Sequence, residues 1–176
     1  MYLIFDIETC GKSPNKNSII QLACILVDRE FEIVSEFNEF CRPYSFKFWD
    51  AESEGIHKIS RSKCETFQSG MALINNFLKF VRQYRMLGVC HAAFRKNKNK
   101  LFDYWFLRNH CLLYNVFHEV IYGHVPSCTS TILSKSDFDL VRDAPREQNL
   151  KAWADYLGHK FNHHNALDDC YATYKV

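Results

Sequence analysis

Three strand-like segments follow one another at the start of the chain, before any helical pattern begins. They cover residues 2–8, 18–27 and 31–40 and are rich in β-branched, aromatic and other apolar side chains. The polar turn Asp28-Arg29-Glu30 joins the last two segments and predicts a hairpin. Because strands that are consecutive in sequence tend to pair as neighbours, the first part of the sheet is predicted to be antiparallel.

The remainder of the chain alternates between helical and strand patterns. Apolar positions at helical spacing predict a helix over residues 66–83, and a short apolar run predicts a strand over 86–93. The later elements are predicted as a helix over 101–114, a strand near 118–122, a helix beginning near Thr129, and helices over 149–158 and 166–176. The alternation indicates parallel crossovers, so we predict an α/β fold, a mixed central sheet flanked by helices, in a single domain over 1–176.

Composition excludes several classes of protein. The chain has 176 residues, a formal net charge of +2 and no apolar run that approaches the length of a membrane span. Its eight cysteines are scattered without a C-x-x-C pair, and several lie in apolar stretches, which favours buried free thiols in a reducing compartment. No leader pattern precedes the first strand. We therefore expect an intracellular, cytoplasmic protein that is not associated with a membrane.

Acidic residues stand inside the first apolar segment. Asp6 and Glu8 are two residues apart on a predicted strand, so their side chains project from one face together with Ile4. Neighbouring carboxylates in such surroundings repel each other and are poorly solvated, which raises their pKa values and favours a compensating divalent cation. Taken alone, the pair is more often found on a solvated face.

Two later segments carry further candidates. Asp103 lies among apolar and aromatic neighbours at the predicted start of a helix, where the helix dipole alone could also account for a carboxylate. Asp169 shares a helical face with small packing residues, and His163 and His164 precede that helix in a loop. An isolated histidine there would more often be an ordinary exposed residue.

Together these segments resemble the DEDDh, or DnaQ-like, exonucleases. The motifs that carry the resemblance are Phe5-Asp6-Ile7-Glu8-Thr9, Phe102-Asp103-Tyr104-Trp105-Phe106-Leu107, and His164-Asn165-Ala166-Leu167-Asp168-Asp169 with Ala172-Thr173. Ile56-His57-Lys58-Ile59 is similar to the family's I-H-G-I segment, with Lys58 in place of glycine. His91-Ala92-Ala93 stands where the family has H-N-A. The signatures occur in the family's order and span almost the whole chain.

The resemblance implies a ribonuclease H-like fold and a 3′→5′ exonuclease. It implies that two divalent cations, Mg²⁺ or Mn²⁺, are held by four carboxylates and that His164 is the general base; the implied catalytic set is Asp6, Glu8, Asp103, His164 and Asp169. Substrate contacts are implied for Ile7, Thr9, Ile56 and His57. The implied partner is nucleic acid with a free 3′ end, preferably single-stranded, and a polymerase or a second copy of the chain is left open as protein partner.

Several alternatives stay open from the sequence. His163 and Asp168 have the same separation as His164 and Asp169, and only the flanking Ala, Leu and Ala-Thr positions favour the second pair. Alanine at His163 is therefore expected to do little. The aromatic residues at 44–49 could stack bases or simply pack, and the basic cluster at 95–100 could bind phosphates or only be solvated. A catalytically weak nucleic-acid-binding module is the alternative function.

Overall fold

The protein is described by a computed structural model that covers residues 1–85, 88–91, 102–116, 127–128 and 149–176. Its centre is a six-stranded sheet in the order β4-β3-β2-β1-β5-β6. The strands are β1 Tyr2–Thr9, β2 Ile19–Val27, β3 Ile33–Arg42, β4 Gln68–Ser69, β5 Gly88–His91 and β6 Ser127–Cys128. The predicted strand near 118–122, the helix predicted from Thr129 and the basic cluster at 95–100 lie outside the described residues.

The sheet is mixed, as predicted. β1, β2 and β3 pair antiparallel, with Tyr2 opposite Val27 and Gln21 opposite Phe40. β5 then pairs parallel to β1, and β6 parallel to β5. The short edge strand β4 pairs parallel to β3. The prediction of three antiparallel strands followed by parallel ones is therefore confirmed.

Six helices are described around this sheet. They are α1 Ala51–His57, α2 Arg61–Glu65, α3 Gly70–Val81, α4 Phe102–Leu113, α5 Leu150–Tyr156 and α6 Ala166–Lys175, and a short 3-10 turn covers Phe46–Phe48. None of the described helices is long and apolar enough to cross a membrane. Helix α3 begins later than predicted because the Ser69 hydroxyl accepts a hydrogen bond from the Ala72 N–H and caps the helix there.

Side-chain alternation along β1 divides the core between the two faces of the sheet. Leu3, Phe5 and Ile7 pack with the inner faces of α3 and α4. On the opposite face, Ile4 packs with alternate residues of β2 and with α6. All nine residues of β2 are buried, as expected for a strand covered on both faces. Asp6 and Glu8 therefore project from β1 towards α6, on the face of Ile4.

A buried histidine joins α4 to the sheet. The Nε2 atom of His110 accepts a hydrogen bond of 3.2 Å from the Ile19 N–H, and its Nδ1 atom lies 3.1 Å from the Phe106 carbonyl oxygen. These partners require the neutral ring with its proton on Nδ1. Burial lowers the pKa of His110 to about 4, which keeps it neutral. His110 thereby fixes the helix that carries Asp103 against the end of β2.

The six cysteines whose side chains the structure describes confirm the prediction of buried free thiols. Cys10, Cys24, Cys41, Cys64, Cys111 and Cys170 are all free and buried. Burial raises the pKa of Cys111 to about 12, so that thiol stays protonated and packs as a small apolar side chain.

Candidate active site

A cleft of about 230 Å³ lies beside the end of β1. Its lining includes all five predicted catalytic residues, namely Asp6, Glu8, Asp103, His164 and Asp169. It also includes the four residues for which the resemblance implied substrate contacts, namely Ile7, Thr9, Ile56 and His57. The fold therefore brings residues from the beginning, middle and end of the chain to one place.

Four carboxylates form one side of the cleft, which we call the carboxylate wall. Asp6 and Glu8 come from β1, Asp103 from the first turn of α4, and Asp169 from the first turn of α6. The relative exposure of each residue is between 5% and 8%. Asp103 and Asp169 each lie in the first turn of a helix, where the helix dipole stabilises a negative charge whether or not the residue has a function.

The carboxylate wall concentrates negative charge in a poorly solvated place. One oxygen from each of Asp6, Glu8 and Asp169 lies within 4.8 Å of the others. The pKa of Glu8 is raised to about 8, first by burial and then by the charges of Asp169 and Asp103. Such an arrangement of hard oxygen donors suits a divalent cation, which would offset the repulsion.

The loop before α6 places both histidines against Asp169. His163 Nδ1 lies 3.0 Å from Asp169 Oδ1, and the backbone N–H of His164 donates to Oδ2 at 3.3 Å. The two imidazole rings stack with their centres 3.9 Å apart. His164 has a φ of 68°, a left-handed conformation that costs free energy for a residue with a side chain. The sequence did not reveal the contact between His163 and Asp169.

Helix α1 lines another part of the cleft, which we call the helix wall. Ser53, Ile56 and His57 line the cleft from one helical face, and Lys12 lines it from the loop after β1. His57 Nδ1 accepts a 3.0 Å hydrogen bond from the Ile59 N–H, which places the proton of a neutral ring on Nε2. Burial lowers the pKa of His57 to about 4, so the ring adds no charge to the cleft at neutral pH.

The comparison that decides the family covers nearly the whole chain. The family model RNase_T, described as Exonuclease, matches residues 3–176. This chain belongs to that exonuclease family. No curated protein matches it significantly by sequence.

Solved structures place this exonuclease domain among ribonuclease H-like folds, as predicted. E. coli exonuclease I in complex with a dT13 oligonucleotide is 17% identical with a TM-score of 0.78, covering 98% of this chain and 39% of that chain. The complex of the same enzyme with a dA16 oligonucleotide is 18% identical with a TM-score of 0.78, and the match covers 98% of this chain and 39% of that chain. Its complex with an SSB C-terminus is 17% identical with a TM-score of 0.79, and the match covers 98% of this chain and 39% of that chain. The chain thus spans about two fifths of the length of the structures it matches.

Several lining residues of the exonuclease cleft were missed from the sequence. They are Lys12, Ser53, Phe102, Asn149 and Leu150. The Asn149 side chain caps α5 by accepting from the Ala152 N–H at 2.8 Å, so a capping pattern was the available signal. Lys12 pairs with Glu52 at 2.7 Å, and both side chains are exposed. Nothing in the local sequence around Lys12 indicates that α1 faces it.

The aromatic segment at 44–49 is divided by the fold. Phe46 and Trp49 pack against the core cluster that contains Cys10 and Ile20. The indole N–H of Trp49 also donates to the Glu54 carboxylate at 2.6 Å. These contacts support the packing alternative for those two rings, and Tyr44 and Phe48 remain exposed.

The replacement of the family's glycine by Lys58 has a local explanation. Lys58 is the C-terminal cap of α1 and has a φ of 60°, the left-handed conformation that glycine adopts without strain. Its side-chain amine contacts the Gly55 carbonyl oxygen. The position therefore keeps the backbone turn of the motif with a less favourable residue.

Proposed function

We propose that the chain is a metal-dependent 3′→5′ exonuclease that releases nucleoside 5′-monophosphates from DNA or RNA with a free 3′ end. The observation that carries the proposal is the convergence of four buried carboxylates from three elements in one cleft, with His164 at its margin. Membership of the exonuclease family supports the same reaction class. A coincidental set of acidic residues would have no reason to meet in a cleft.

The donor set fits the proposed cofactor. Asp6, Glu8, Asp103 and Asp169 would hold two Mg²⁺ or Mn²⁺ ions, because carboxylate oxygens are the ligands that these hard cations prefer. Burial, followed by the charges of Asp169 and Asp103, raises the pKa of Glu8, and a cation bound there would favour its ionised form. When bound, such ions would lower the pKa of a water molecule and stabilise negative charge on the phosphate and the departing oxygen.

The histidine loop supplies the proposed proton acceptor. His164 would take a proton from the attacking water as its oxygen bonds to phosphorus, and the bond from phosphorus to the 3′ oxygen would break. The 3′ oxygen leaves with a proton from solvent, which yields a shortened strand and a nucleoside 5′-monophosphate. The left-handed backbone of His164 supports this role, because strained residues cluster at functional sites.

The helix wall and the end of β1 would hold the terminal nucleotide. Ile7, Thr9, Ile56 and His57 are proposed to contact it, since all four line the cleft that contains the carboxylates. The matched structures of E. coli exonuclease I contain the oligonucleotides dT13 and dA16. We therefore propose that single strands are preferred, with a polymerase or a second copy of this chain as candidate protein partners.

The test uses DNA and RNA, single- and double-stranded, labelled at either end, with and without Mg²⁺. The proposal expects immediate release of a labelled mononucleotide from 3′-labelled strands and a descending ladder from 5′-labelled strands, both abolished by EDTA. Closed circles should resist. Binding without cleavage in Mg²⁺ and Mn²⁺ would instead support the catalytically weak binding module.

A further inference from the structure

A second group of metal-ligating atoms overlaps the carboxylate wall. One ligand atom from each of His163, His164 and Asp169 lies within 4.8 Å of the others. The shortest contact joins His163 Nδ1 and Asp169 Oδ1 at 3.0 Å. This group differs in chemistry from the carboxylates because two of its three donors are imidazole nitrogens. It also includes His163, for which the proposed reaction has no role.

Imidazole donors favour a different class of ion from Mg²⁺. Nitrogen ligands suit Zn²⁺ and neighbouring transition ions, whereas Mg²⁺ prefers oxygen. Three protein ligands with an open position for water form a known arrangement for Zn²⁺. We propose that His163, His164 and Asp169 form a Zn²⁺-class site that shares Asp169 with the proposed Mg²⁺ centre.

The loop geometry holds this triad together before any ion arrives. Asn165 caps α6 through the backbone N–H groups of Leu167 and Asp168, which fixes the helix turn that carries Asp169. The His164 N–H donates to Asp169 Oδ2, while His163 contacts Oδ1, so both oxygens of the carboxylate are held by the loop. The His163 side chain is 37% exposed, so an ion can reach it from solvent without opening the core.

Sharing of Asp169 has a consequence for activity, which rests on the function proposed above. An ion held by the triad places its positive charge on the His164 ring that would accept the proton, and it takes a carboxylate oxygen from the Mg²⁺ centre. Zn²⁺ at this place therefore inhibits Mg²⁺-dependent cleavage. His163 contributes to the inhibition because it completes the triad.

Binding of Zn²⁺ alone is measured first, on the metal-stripped protein, by competition with a chromogenic chelator. His163→Ala should weaken Zn²⁺ binding by at least about tenfold, since even outer-shell partners of a metal ligand contribute about that much. His159→Ala is the matched control: His159 lies in the same loop, stacks on Phe161 and is outside the triad. Equal Zn²⁺ affinity in wild type and His163→Ala would overturn the proposal.

Inhibition is measured second, as the Zn²⁺ concentration that halves Mg²⁺-dependent release from a 3′-labelled strand, each variant being compared with its own rate without Zn²⁺. That concentration should rise at least about tenfold in His163→Ala and stay within about twofold in His159→Ala. An unchanged value in His163→Ala would show that Zn²⁺ acts at the carboxylates alone and would overturn the proposal. Absence of cleavage in every condition would defeat the proposed function, while the binding measurement would still decide the Zn²⁺ site.

Discussion

The two sides of the cleft are built in different ways. The carboxylate wall rests on long-range structure, because β1 is paired on both sides and α4 and α6 pack on opposite faces of the sheet. The helix wall is held by side-chain caps and loop contacts: Asp50 caps α1, and the Ser53 hydroxyl donates to Asp50 at 3.0 Å. The four carboxylates thus lie on the paired sheet and its packed helices, whereas the neutral His57 and the exposed Lys12 lie in a part held by turns and caps.

A close approach ties the loop after β1 to the segment that precedes α1. The Asn17 amide donates to the Phe48 carbonyl oxygen at 2.6 Å and joins this loop to the segment before α1. A Cβ atom at Gly11 would lie 2.3 Å from Asn17 Nδ2, so no larger residue fits without displacing that amide. The difference teaches that changes in the carboxylate wall should affect chemistry, while changes in the helix wall should affect substrate binding.

The largest expected effect separates the two walls most clearly. Asp6→Asn removes a charge from the buried centre and should lower kcat by about 10³-fold or more, as expected when several kcal/mol of charge stabilisation is lost. Binding of a labelled oligonucleotide in EDTA should change little. Single-turnover cleavage and fluorescence anisotropy provide the two measurements. A variant that cleaves at the wild-type rate would remove Asp6 from the centre.

The next effect tests the histidine register. His164→Ala should lower kcat by about 10²-fold, as for loss of a general base. His163→Ala, expected from the sequence to do little, touches Asp169 and should cost less than about tenfold. Both rates are measured in Mg²⁺, with trace Zn²⁺ removed by a Zn²⁺-selective chelator. A larger loss in His163→Ala than in His164→Ala would contradict the alignment of the third motif.

The electrostatics of the carboxylate wall predict a pH dependence of stability. The pKa of Glu8 is about 8 in the folded protein against an ordinary value of 4.5, so ionisation of Glu8 destabilises the metal-free fold as pH rises through that interval. Glu8→Gln should therefore raise the metal-free Tm at pH 8.5 by about 4–8 °C, on the order of 2 kcal/mol, and should change it little at pH 4. Thermal unfolding in EDTA measures this. A variant less stable than wild type at pH 8.5 would contradict the assigned charge repulsion.

The smallest effect concerns the helix wall. Lys12→Met should raise KM for an oligonucleotide about threefold and make the salt slope shallower by about 0.7, the value for one phosphate contact with a single strand. Its kcat should change less than its KM. Lys16→Met is the matched control, since Lys16 is exposed in the same loop and does not line the cleft. Equal KM changes in the two variants would indicate a general effect of charge.

The difference between the walls also explains what the sequence could predict. The strands and the carboxylates were predictable because side-chain alternation along Tyr2–Thr9 determines which residues share a face. The first-turn positions of Asp103 and Asp169 followed from the predicted helix starts in the same way. Long apolar periodicities report such features directly.

The resemblance implied substrate contacts for Ile56 and His57, but the helix that carries them was not predicted because its signals are short. Helix α1 has seven residues and few buried positions, namely Ser53 and His57, so its sequence carries no apolar periodicity. The two-residue strand β4 was likewise not predicted, because it is defined by its pairing with β3 and is too short to show a pattern. The contact of His163 with Asp169 depends on the left-handed backbone at His164, which no local pattern indicates.

The central claim is that the carboxylates form one divalent-metal centre, and the neighbouring residues Asp168 and Asp169 test it most directly. Only Asp169 lines the cleft, while Asp168 is a half-buried carboxylate in the same helical turn. Calorimetric titration of Mn²⁺ into metal-free wild type, Asp169→Asn and Asp168→Asn is the measurement, with mononucleotide release recorded on the same samples. The account predicts two Mn²⁺ ions in wild type and Asp168→Asn, and at least about tenfold weaker binding with lost activity in Asp169→Asn. Wild-type Mn²⁺ binding by Asp169→Asn, or an equal loss in Asp168→Asn, would contradict it.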